Sequence, residues 1–210
     1  MTTPQLERLS AHYHRLRLHR LDAELSALLE QAAKKDVSYA DFLDDVLTRE
    51  LAAKQEKHQA MRVMMARFPF QKTLESFDWK FQPSIEPKII KELATGRFIA
   101  DGENVLLLGP PGVGKTHLAE ALGMSACALG LRTMFTTAAG LITTLGKALY
   151  ENRLEERLKV LTQPKLLIID EIGCDGGVMI QVGNLRCCFV GTFGWRLTCR
   201  VGSLAWPCPR

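Results

Sequence analysis

The 210-residue chain has no apolar run approaching the roughly 18 to 20 residues that a membrane-crossing helix needs. Its first twenty residues are polar and basic and lack the apolar centre of a secretory signal. Together these absences lead us to expect a soluble, cytoplasmic protein with no membrane partner and with its thiols reduced. Aromatic residues are scarce, at 7%, and cysteine is nearly missing before Gly173, where Cys127 stands alone. No C-x-x-C pair occurs anywhere, so neither a disulfide framework nor a zinc site is expected. With 47% hydrophobic and 24% charged residues, the disordered and collagen-like classes are excluded as well. What remains is a globular chain of ordinary composition, and its three parts differ sharply.

Gly and Pro are absent from Gln5 to Arg67, a stretch rich in Leu, Ala, Glu, Lys and Arg, so residues 1–69 are expected to form a small helical domain. Leu6, Leu9, Tyr13 and Leu16 fall on one face of a first helix. Beside them Arg8, His12, Arg15 and His19 recur at spacings of four, three and four, a basic stripe flanked by Arg17 and Arg20. Such a stripe suits phosphate tracking on DNA, although the 11 Lys and Arg of residues 1–68 are nearly balanced by 10 Asp and Glu, as on any solvated face. His12 and His14 stand two apart and so face different ways, which argues against a metal pair. Ser38 followed three residues on by Asp41 has the pattern of a capping box before Phe42, Leu43, Val46 and Leu47, and that helix is expected to run to Phe68-Pro69.

From residue 70 to 173 strands alternate with helices, which predicts an α/β domain with a mainly parallel sheet. Ser84 and Pro87 open a short helix that ends before Gly96. Asn104 to Gly109 is a doubly buried strand, Lys115 to about Leu129 a helix, Leu131 to Thr137 a strand, Ala138 to Leu161 one or two helices, and Leu166 to Asp170 a third strand.

Between the first of these strands and its helix lies Gly109-Pro110-Pro111-Gly112-Val113-Gly114-Lys115-Thr116, followed by His117, which matches G-x-x-x-x-G-K-[ST]. A chance match in a chain of this length is on the order of one in a hundred, given Gly at about 7% of residues. The strand-to-helix context is the one the chemistry requires. Glycines let successive backbone N–H groups turn inward on an anion, and the helix points its positive end at the same place. In this pattern Lys115 pairs with the β and γ phosphates of ATP and Thr116 ligates Mg²⁺. Asp170-Glu171, about 55 residues on, end the third strand. Asp170 is the candidate Mg²⁺ partner and Glu171 the candidate catalytic base, although strands also end in acidic residues as simple turn formers. Phe77, Trp79 and Phe81 offer either packing or a face for a base.

The stretches Ser76-Phe-Asp-Trp-Lys-Phe, Gly102 to Gly123 and Leu166 to Gly173 resemble the IstB family of insertion-sequence helper ATPases, which are AAA+ proteins close to the DnaC helicase loaders. The resemblance covers about Gln5 to Gly173, and its more specific cues are Gly-Lys-Thr-His-Leu-Ala with Ala-Leu-Gly following and the short helical N-terminal region. It implies an ATP-hydrolysing homo-oligomer that assembles on double-stranded DNA and acts with a partner transposase. A DnaC-type reading replaces the transposase with a replicative helicase.

After Gly173 the family pattern is lost. Residues 174–210 contain no Lys and no Glu, but four Arg, six Gly, five Cys and two Trp. They also carry +3 of the +4 net charge, so the basic character of the whole chain is no argument for DNA. No sensor residue, arginine finger or C-terminal basic helix can be matched, and the fourth and fifth strands of the AAA+ core, whose order is 5-1-4-3-2, cannot be identified. The expectation is an incomplete P-loop sheet followed by an aberrant tail, read as out-of-frame translation in a gene of high GC content, with a natural divergent C-terminus as the alternative. Reading the other frames beyond the Gly173 codon tests this, since later AAA+ motifs must emerge there. Impaired hydrolysis follows, and at the extreme a nucleotide-binding fragment of a decayed mobile element.

Overall fold

The computed structural model describes residues 3–35, 37–81, 83, 85–172, 177–182 and 201–205, the last two stretches as backbone only. The Ser84 cap and the five cysteines after Gly173 lie outside the described residues or side chains. The chain divides into two compact units, residues 1–60 and 61–210.

The first unit contains α1 (Thr3–Leu16), α2 (His19–Lys35) and most of α3 (Tyr39–Ala66). Leu21, Leu28 and Val46 form its centre, with Tyr13, Leu18 and Phe42 packed around them. The basic stripe does not continue along a single helix as the spacing suggested. Arg17 adopts a left-handed conformation (φ 55°), the Leu18 N–H donates to Tyr13 O at 2.9 Å and the Arg17 N–H to His14 O at 3.1 Å. That is a Schellman C-cap built without glycine, and it places His19 and Arg20 on a different helix from Arg8 and Arg15. Arg20 is in addition paired with Glu24 at 2.8 Å. His14 turns to Asp22 at 3.0 Å, and Ser10 donates to the other oxygen of the same carboxylate at 2.6 Å, which ties α1 to α2.

Two caps set the remaining helix starts. The Asp41 N–H donates to Ser38 Oγ at 3.2 Å, and the Ser38 hydroxyl donates to Asp41 Oδ2 at 2.6 Å, so the capping pair forms at the head of α3. The start of α2 is capped from a distance. Glu50 on α3, only 4% exposed, accepts the Arg20 and Leu21 N–H groups on Oε2 at 3.0 and 3.1 Å. A buried carboxylate at a helix N-terminus satisfies orphan donors and meets the positive end of the helix dipole.

The second unit continues with α4 (Pro87–Ala94), α5 (Arg97–Ala100), β1 (Asn104–Leu108), α6 (Lys115–Ala128), β2 (Thr133–Thr137), α7 (Ala138–Tyr150), α8 (Leu154–Leu161), β3 (Leu166–Ile172), β4 (Gly177–Val182) and β5 (Val201–Ala205). The apolar run of β3 is buried from Leu166 to Ile169, whereas in β1 Val105 and Leu107 are buried and Leu108 is exposed; Leu107, Leu166 and Ile168 have no exposed surface. Leu118 and Ile90, equally buried, cover the sheet from α6 and α4. Each such side chain contributes about 1.5–3 kcal/mol of burial. Helix α6 approaches β3 closely because Gly123 has no side chain. A Cβ there would lie 2.7 Å from both Ile168 Cδ1 and the Phe68 ring.

The sheet has the order β2-β3-β4-β1-β5. Strands β2 and β3 run parallel, as do β1 and β5, whereas β4 is antiparallel to both of its neighbours. The sequence leaves the fourth and fifth strands unidentified; in the structure residues 177–182 fill the slot between β1 and β3, and 201–205 pair with β1. The direction of β4 has a simple cause. Only 173–176 separate it from β3, and so short a connection returns a strand antiparallel, while a parallel one needs a crossover of a dozen or more residues.

Candidate functional site

The loop 109–114 leaves the end of β1 and delivers the chain into α6. Gly114 is the N-cap of α6, with left-handed backbone (φ 91°) and no side-chain cap. A side chain there would meet a second obstacle, because its Cβ would lie 2.7 Å from Phe77 Cε2. Glycine is thus required both by the turn and by the neighbour. The first turn of this 14-residue helix opens toward the loop with no side chain closing it, the arrangement that receives an anion.

Lys115 is 5% exposed, and its ammonium donates to Gly109 O at 2.7 Å and Pro110 O at 2.6 Å. The cation is thereby held over the loop that precedes it. Thr116, next on the helix, donates its hydroxyl to Asp170 Oδ2 at 3.0 Å. Asp170 is 7% exposed, and its other oxygen accepts the Glu171 N–H at 2.9 Å. These contacts join residues 54 apart in sequence and bring the loop and the β3 end into one site. Between Ile169 and Ile172 the β3–β4 register shifts, and Glu171 is exposed with φ at 59°. A bulge with a non-glycine residue in the left-handed region turns the two adjacent acids in different directions, Asp170 inward and Glu171 outward.

Thr116 and Asp170 supply two hard oxygen donors side by side. Among the described residues no group of three or more His, Cys, Asp and Glu could hold a metal. The pair therefore suits Mg²⁺, which takes one or two protein oxygens with water and substrate phosphates filling its shell, and not an ion that needs an all-protein cage.

His117, expected among the nucleotide-binding residues, lies against residues 73–77. Its Nε2 lies 3.0 Å from Thr73 O and 3.2 Å from Ser76 Oγ, and its ring meets Phe77 edge-on at 5.1 Å. The side chain fastens residues 73–77 against the head of α6. Phe77 is 7% exposed and stacks edge-on with Trp79 at 4.9 Å, so it packs within the core, whereas Phe81 is 66% exposed.

One residue of the site was missed from sequence. Glu120, one turn beyond Thr116, is 1% exposed, and neither of its carboxylate oxygens makes a hydrogen bond of good geometry, the Phe70 backbone being the hydrogen-bonding group beside it. Burial, and then the Asp170 charge, push its pKa above the ordinary carboxylate range, against the weaker pull of Lys72 and the Phe70 backbone. A single acid among the apolar residues of α6, four positions after Thr116, was the available signal.

Comparison with known proteins identifies the family. Residues 11–176 match the family described as IstB-like ATP binding protein. The chain belongs to that family. It is 48% identical over 159 residues to the IS21 insertion-sequence ATP-binding protein of Pseudomonas aeruginosa, a match covering 76% of this chain and 60% of the relative. The corresponding IS5376 protein of Geobacillus stearothermophilus is 42% identical over 80% of this chain and 66% of its own length. The IS232 protein of Bacillus thuringiensis subsp. berliner is 36% identical over 80% and 67%. The chain thus spans about three fifths to two thirds of the length of these IstB-like relatives. The family match takes in α6, the loop before it and Asp170-Glu171, and it ends at residue 176. Among the described residues no helix is long and apolar enough to cross a membrane.

Proposed function

We propose that this chain binds ATP with Mg²⁺ as a helper of DNA transposition, assembling as a homo-oligomer on double-stranded DNA beside a transposase. The observation that carries the proposal is the junction of Lys115, Thr116 and Asp170 at the open first turn of α6. In this reading the loop N–H groups and Lys115 grip the β and γ phosphates, the ammonium exchanging two neutral carbonyls for charged oxygens, which bind it about twice as strongly. Thr116 and Asp170 hold Mg²⁺, which when bound neutralises charge on the phosphates. Glu171, facing solvent next to Asp170, takes a proton from the attacking water. Arg8, Arg15 and Arg17 contact the DNA backbone from α1 and its cap, with Arg20 the weakest candidate because Glu24 already pairs with it.

The insertion-sequence relatives favour a transposase as partner over a replicative helicase, and a neighbouring transposase gene would discriminate the two. Turnover is expected to be very low, because residues after 176 lie outside the family match and no arginine finger is recognisable among them. Nucleotide turnover of the purified chain, with and without duplex DNA, tests this. Binding with slow turnover that Glu171→Gln abolishes is the expected result. A rate ordinary for an ATPase would refute the impaired-hydrolysis reading, and turnover unchanged by Glu171→Gln would refute the assignment of the base.

A further inference from the structure

A second polar site lies at the other end of the sheet. The loop 109–114 and Asp170 stand at the strand ends that follow β1 and β3, whereas a cavity of about 170 Å³ opens where β2 and β3 begin. Four arginines line it: Arg62 and Arg67 from the end of α3, Arg132 at the entry to β2, and Arg157 from α8, together with Thr133 and Gln163. No Asp or Glu lines it, and none of the four arginines makes an ion pair among the described residues.

Four guanidinium groups around one small cavity repel one another, and no ion pair with a described residue relieves that repulsion. One detail favours an anion as the occupant of the cavity. Arg157 Nε is buried without a hydrogen-bond partner, whereas the Thr133 hydroxyl has the Cys127 thiol as a hydrogen-bonding neighbour. A buried donor left unmade is costly, more so when charged, so a donor of this kind seldom persists without a purpose. Arg62 is held in place, its Nε donating to Cys127 O at 3.0 Å, which leaves its terminal nitrogens for the cavity. The planar guanidinium fork matches tetrahedral oxyanions in two-point hydrogen bonds. The volume selects further, because it is well below the roughly 300–1,000 Å³ of pockets that enclose a whole organic ligand.

We propose that this pocket binds a single phosphate group, separately from the nucleotide site. Its source is either free phosphate or a phosphomonoester, or else a phosphodiester of nucleic acid. The inference does not depend on the nucleotide-binding reading, since no residue is shared between the two sites.

Titration calorimetry of the full chain with inorganic phosphate, in a buffer free of sulfate, tests it. Arg157→Gln and the exposed-residue variant Arg132→Gln should each weaken phosphate binding on the order of tenfold or more, while Lys115→Ala should leave this binding in place. Arg132→Gln keeps the test sound if Arg157→Gln disturbs the fold. Binding of a fluorescent duplex across a salt series identifies the source. If the phosphate is a backbone phosphodiester, each arginine variant lowers the slope of log K against log salt by about one. If the duplex slope is unchanged while phosphate binding falls, the ligand is free phosphate or a monoester. Phosphate and duplex binding both indifferent to the two arginine variants would overturn the proposal, as would phosphate binding lost in Lys115→Ala alone, which would assign it to the loop before α6.

Discussion

Gly123 and Gly146 offer a matched pair of substitutions that isolates the packing of α6 on the sheet. Both are helical, in α6 and α7, and neither needs a positive φ. In each case alanine gains about 1 kcal/mol of helix propensity over glycine. At Gly146 a Cβ meets nothing within 4 Å, so Gly146→Ala should stabilise by about 0.5–1 kcal/mol. At Gly123 the same Cβ would lie 2.7 Å from Ile168 Cδ1 and from two atoms of the Phe68 ring. Ile168 can rotate its terminal methyl, but Phe68 is set edge-on against Phe135 at 6.3 Å and Ile168 has no exposed surface to move into. Overpacking of this kind costs about 1–3 kcal/mol, and because the propensity gain is common to both variants, that cost is their difference in stability. Urea unfolding followed by tryptophan fluorescence measures it. Gly123→Ala should lie about 1–3 kcal/mol below Gly146→Ala, and two equally stabilised variants would refute the close approach of α6 to β3. The result bears on function, because this approach seats Thr116 beside Asp170.

Two further predictions concern buried carboxylates. Glu50→Ala removes the acceptor for two N–H groups at the head of α2 and should destabilise the helical unit by about 2 kcal/mol, seen as faster hydrogen exchange at the Arg20 and Leu21 amides; unchanged exchange at both would refute the remote cap. Glu120 has its folded pKa raised, so the folded state holds a proton that the unfolded chain releases, and stability present below the ordinary carboxylate pKa is lost as pH rises through the raised value. Glu120→Gln should therefore gain stability over the parent near neutral pH and lose that gain in acid, and a difference constant with pH would contradict the assignment.

Much of the site was legible because its signals are local. A strand, a glycine-rich turn and a helix in sequence place Lys115 and Thr116 with no knowledge of the fold, and the apolar run ending in Asp170-Glu171 announces its own strand. The Ser38–Asp41 cap was equally visible, being a contact over three residues. What stayed hidden depends on distance or on unusual backbone. Arg17 ends α1 in a left-handed conformation that sequence habit reserves for glycine, so the basic stripe read as one helix. Glu50 caps α2 from about thirty residues away, and no spacing rule connects them. The four arginines at 62, 67, 132 and 157 carry no motif, since only the sheet brings their elements together. Strand β4 was hidden for a different reason. Its apolar run, Val178-Met179-Ile180, is short and lies in a tail whose composition as a whole shows no periodicity, and its antiparallel course follows from the short link to β3.

The central claim is that Lys115 at the head of α6 holds the phosphates of ATP. Equilibrium binding of a fluorescent ATP analogue with Mg²⁺, compared between the parent chain and Lys115→Ala, tests it most directly. The account predicts saturable binding by the parent and its loss in the variant, with the fold retained by circular dichroism. Equal binding by the two proteins would contradict it.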